Sequence, residues 1–86
     1  MYVIVLVDID THKSLVHWVG NDLQDAQNAL LLYCETIKDE NVECMVLSSN
    51  EIHIYKRING WIVSNKILHT IATLHELEAW TAVSAE

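Results

Sequence analysis

The run Tyr2-Val3-Ile4-Val5-Leu6-Val7-Asp8-Ile9 constrains this chain more than any other segment. It is apolar at every position but Asp8 and rich in β-branched residues. Such a run reads as a strand covered on both faces, in the middle of a sheet. Asp8 and Asp10 end the run and no basic residues precede it, so it is a strand and not a signal peptide. Asp10 to Lys13 is polar and turn-like, and residues 14–19 return as a second strand, which makes residues 2–19 a hairpin.

Gly20-Asn21-Asp22 ends that strand and opens a helix, with Asn21 or Asp22 able to cap the first amides. Leu23, Ala26, Leu30, Tyr33, Cys34 and Ile37 recur at helical spacing. Leu31 and Leu32 widen that stripe beyond what one sheet face needs. The spacing predicts a helix that runs to Asp39-Glu40 and ends with Asn41 in a left-handed cap. A third strand follows over 42–47, and a fourth over 52–58.

Asn59-Gly60 has the composition of a two-residue type I′ turn, which predicts a hairpin with Ile58 opposite Trp61 and Ile52 opposite Ile67. Its second face would then set His53 against Lys66, Tyr55 against Ser64 and Arg57 against Ile62. Residues 66–80 carry both helical and strand signals, and their β-branched residues favour a strand. Residues 78–86 are expected to fray. The fold class that follows is α+β, in the order β-β-α-β-β-β: one domain over residues 1–86, with a small antiparallel-rich sheet and one long helix on one face.

Composition narrows the function classes. The 86 residues include 12 acidic and 5 basic ones, for a net charge of −7, which repels a phosphate backbone and makes nucleic acid an unfavourable partner. Apolar residues make up 51% of the chain, and a domain this small often buries such an excess between subunits. A homodimer, or a complex with a larger protein, is therefore expected. Cys34 and Cys44 have apolar neighbours and no secretory context, and are expected as free thiols. No stretch approaches the ~20 apolar residues of a membrane span, so the expected location is cytoplasmic and soluble.

Chemistry is weighed residue by residue. Asp8-Ile9-Asp10-Thr11 resembles the first motif of haloacid-dehalogenase-type phosphatases, and the first acidic motif of exonucleases with a ribonuclease-H-like fold. Both resemblances imply Mg²⁺-dependent phosphate chemistry at Asp8 and Asp10. The phosphatase motif wants a Thr four residues after its first Asp, and His12 stands there; both families draw partner residues from domains well above this length. The competing reading is that Asp8 and Asp10 stop strand pairing and solvate a turn. The five histidines show no metal-ligand spacing, and two glycines cannot build a phosphate loop. No cofactor, metal or catalytic set is expected. The remaining candidate is a small-ligand site at Asp8, Asp10, His53, Tyr55, Arg57 and Lys66, the last four forming a basic-aromatic cluster.

The expected function is a non-enzymatic protein-interaction module. Its anchors would be Trp18, Leu31, Leu32, Tyr55, Trp61 and Trp80, because aromatic side chains dominate interface energetics. The alternative is an acidic accessory protein, of a kind viruses use, that mimics a line of phosphates with Asp22, Asp25, Glu35, Asp39 and Glu40 to inhibit a nucleic-acid-binding protein.

Overall fold

The first strand stops at the residue whose side chain replaces strand pairing. In the computed structural model, which describes residues 1–38, 41–59 and 64–77, β1 (Tyr2–Asp8) ends where Asp8 Oδ1 accepts the amides of Asp10 at 2.9 Å and Thr11 at 3.0 Å. The Asp8 carbonyl accepts the His12 amide at 2.9 Å, and His12, at φ 59°, turns the chain into β2 (Ser14–Gly20). A short acceptor side chain at the strand end is what such a turn needs. The turn reading of Asp8 thus accounts for its local chemistry.

The helix α1 (Leu23–Ile37) starts at Asp22, whose carboxylate accepts the Gln24 amide at 2.9 Å. Ala26, Leu30 and Cys34, four residues apart, are buried, and Tyr33 and Ile37 flank them. The chain leaves the helix earlier than the spacing predicts. Lys38 is already extended (φ −71°, ψ 123°), and His12 is the only non-glycine residue with positive φ among the described ones, so Asn41 forms no left-handed cap.

Three further strands, β3 (Val42–Ser48), β4 (Glu51–Asn59) and β5 (Ser64–Glu76), complete a five-stranded antiparallel sheet in the order β2-β1-β5-β4-β3. The helix lies on one face. Its buried residues meet Ile4, Ile52, Ile54, Ala72 and Leu74 in one core, with Trp18 and Leu6 packed at the margin. Residues 66–76 are strand, as their β-branched content favours.

The register of the last hairpin differs from the turn-based expectation. Asn59 pairs with Ser64, so the connection spans residues 60–63; Ile52 faces Ala72, His53 faces Ile71 and Arg57 faces Lys66. The physical reason lies on the other side of β5. Pairing with β1 sets Leu74 beside Ile4 and Ala72 beside Leu6, and that seven-pair ladder decides which β5 side chains face the helix. A local turn preference of about 1 kcal/mol cannot override a register that buries a core. Trp61, placed opposite Ile58 by the turn rule, lies outside the described residues, as does the tail over 78–86.

Each of three strand pairs carries one extra residue: His17 in β2, His69 in β5 and Leu47 in β3. Trp18 lies across Gly20, where a Cβ would collide with the far edge of the indole, so this strand end requires a residue without a side chain. The expectation of free thiols is corrected: Cys34 and Cys44 form a disulfide, with Cα atoms 6.0 Å apart. The last turns of α1 lie over the sheet, and β3 returns ten residues later with Cys44 on the same side, a juxtaposition that neither neighbourhood reveals alone.

Candidate functional site

Alternation along β1 sends Ile4 and Leu6 to the helix and Val3, Val5 and Val7 to the opposite face. Pairing carries that second face onto β2, where Val19 sits beside Val3 and Val16 beside Val5. Val16 and Val19 are 55% and 53% exposed. The bulge at His17 makes the three-residue step from Val16 to Val19 fall on one face. Ile71 of β5 extends the patch beside Val7. No described element covers this side of the sheet; α1 packs on the other.

Toward β4 and β3 the same face becomes mixed. His53, Tyr55 and Arg57 alternate along β4, with Met45 and Glu43 beside them on β3. At its far end Glu43 is held between Arg57 (2.9 Å) and Lys66 (2.5 Å). Lys66, then Arg57, hold the Glu43 carboxyl below its ordinary range, against a smaller opposing effect of desolvation. Glu51 bonds His53 at 2.6 Å. The formal charges on this face, Glu43 and Glu51 against Arg57 and Lys66, cancel.

The structure thus brings His53, Tyr55, Arg57 and Lys66 to one face, as the basic-aromatic reading requires, but through a different register and with both cations drawn onto Glu43. Asp8 and Asp10 lie elsewhere, at the helix-side end of β1. The Thr11 amide does most to hold the Asp8 carboxyl below its ordinary range; desolvation opposes it, while the Asp10 amide and His69, 3.7 Å away, add to the lowering. One Asp8 oxygen is therefore engaged by backbone amides. Among the described residues, no three His, Cys, Asp or Glu side chains converge as metal ligands would. A cavity of about 430 Å³, lined by Asp10, Val42, Lys56, Ile67 and His69 among others, opens at this end of the sheet.

The aromatic and acidic candidates separate. Trp18 is half-buried against the core and Tyr55 half-buried on the open face. Leu31 and Leu32 stand out from α1, at 49% and 67% exposure. Asp22 caps the helix, Asp25 sits in its first turn, and Glu35 is exposed near its end. Trp61, Trp80, Asp39 and Glu40 lie outside the described residues. The valine patch is the feature sequence reasoning missed, although its signal was present: Val3, Val5 and Val7 alternate, and so require a face of their own.

Comparison with family models, curated proteins and solved structures finds no match to this chain. Among the described residues, no helix is long and apolar enough to cross a membrane.

Proposed function

We propose that this chain is a non-enzymatic protein-interaction module that docks through the helix-free face of its sheet. One observation carries the reading: β1 has the composition of a strand covered on both faces, and the described elements supply a cover for one. Strands buried on both sides are continuous in apolar residues, whereas strands with one wet face alternate. Val3, Val5 and Val7 occupy positions where alternation would put polar groups. The patch is partly exposed, with Val16 and Val19 open and Val3, Val5, Val7 and Ile71 half-buried; an apolar patch rimmed by polar residues is characteristic of interaction surfaces.

The acidic-mimic reading has weaker support. Asp25 and Glu35 are ten residues apart, about 15 Å along the axis and about 80° apart around it, so they form no row. The cytoplasmic location expected from sequence has weaker support, because the Cys34–Cys44 disulfide counts against it: such bonds persist mainly in oxidising compartments.

The test uses the full chain as bait under native conditions, in wild-type form and as Val16→Lys and Leu32→Lys. Both positions are exposed, so both variants should fold. A stoichiometric protein, whether a second copy or another chain, should be retained by wild type and Leu32→Lys and lost by Val16→Lys. Equal retention by all three would refute docking through this face.

A further inference from the structure

Resting on that reading, we infer that the occupant of the open face is a second copy of this chain, stacked sheet to sheet about a twofold axis near Val5. The first argument is charge. In a twofold contact a surface meets itself, so any net charge it bears is doubled across the interface. The chain carries −7 in all with histidines counted neutral; on the same count the described residues of its open face sum to zero, and the valine corner holds no carboxylate, lysine or arginine, with His75 beside Val3 its one ionisable neighbour there. β2, Ser14–Gly20, has no ionisable side chain but His17, whose ring packs on Tyr33 on the helix side, 4.6 Å between centroids. Among the described residues, the acidic side chains outside that face are Asp22, Asp25 and Glu35 with the helix, Asp8 and Asp10 at the first turn, and Glu76 at the end of β5 opposite Tyr2. In a stacked pair the sheets would be ~10 Å apart with each helix ~10 Å further out, so the acidic helices would be separated by ~30 Å. That exceeds the ~8 Å screening length of physiological salt several-fold.

The second argument is area. Five strands at ~4.8 Å spacing and about seven residues at ~3.3 Å give a face of roughly 550 Å² in projection. Two copies would bury at least about 1,100 Å², just above the ~1,000 Å² that a specific interface needs. Val3, Val5, Val7, Val16, Val19 and Ile71 would form its dry part. The Glu43, Arg57 and Lys66 group would form a polar rim, so that the pair becomes a four-layer α-β-β-α sandwich.

Sedimentation equilibrium of the full chain over ~1–200 μM tests this. Wild type should approach twice the 9.8 kDa chain mass. Val16→Lys combined with Val19→Lys should weaken dimerisation ~100-fold or more with unchanged far-UV circular dichroism, because it sets cations against their own images. Leu32→Lys should leave the dimer intact. A dimer indifferent to the two lysines would place the contact elsewhere and overturn the inference. So would a wild type that stays at 9.8 kDa throughout the range. A photo-crosslinking residue at position 16 separates the two proposals. Capture of a different protein, lost on Val19→Lys, would overturn the second copy while keeping the interaction reading. A link within one chain to residues 78–86 would overturn both.

Discussion

The contact between Trp18 and Gly20 allows a test in which the sign of an effect, as well as its size, depends on the structure. Alanine replacing glycine in an extended strand ordinarily stabilises by about 0.4–1 kcal/mol, because the unfolded chain loses freedom. At position 20 the added methyl would collide with the far edge of the Trp18 ring. Trp18 packs against the core and cannot swing away without giving up buried contact. Overpacking of this kind costs about 1–3 kcal/mol, so Gly20→Ala should destabilise by about 1–2 kcal/mol net, or roughly 5–15 °C in Tm for a domain of this size. In a Trp18→Leu background the obstruction is gone, and the same substitution should be neutral or stabilising. The coupling between the two changes should therefore be at least about 1 kcal/mol. Urea unfolding followed by far-UV circular dichroism, which does not depend on the removed indole, measures all four corners of the cycle. Equal loss in both backgrounds, or a gain from Gly20→Ala in the wild type, would refute the packing argument.

Two further outcomes follow from charge and covalent structure. The Asp8 and Glu43 carboxyls are held below their ordinary values in the fold, so the unfolded chain binds protons first as pH falls. Their contribution is complete above the ordinary carboxylate range and lost as pH drops through the folded values. Asp8→Asn, which keeps the amide-accepting oxygen but not the charge, should flatten the loss of stability below about pH 4; an acid limb identical to wild type would contradict the assigned cause. Alkylation of the unfolded, unreduced chain should label neither Cys34 nor Cys44, and reduction should lower stability by about 3 kcal/mol, the chain-entropy value for a separation of 10 residues. Two labelled thiols before reduction would return both residues to the free state expected from sequence.

Local chemistry alone determined much of this protein. The apolar run of β1, the acceptor side chain of Asp8, the capping carboxylate of Asp22 and the Ala26-Leu30-Cys34 spacing each act within a few residues, and each forms the local element its sequence predicts, although among the described residues β1 is covered on one face and not on both. The element order β-β-α-β-β-β was legible for the same reason. Tertiary structure decided everything that depends on which strands become neighbours. The Asn59-Gly60 signal yielded to the register that β1 imposes on β5, and the thiols of Cys34 and Cys44 met only because the fold brings the end of α1 and β3 together at these two residues, with Cα atoms 6.0 Å apart. The open face is the sharpest instance. Sequence shows that Val3, Val5 and Val7 are apolar, but whether helix α1 covers them depends on which face of the sheet it packs against, and that choice is made by the summed burial of residues far apart in sequence.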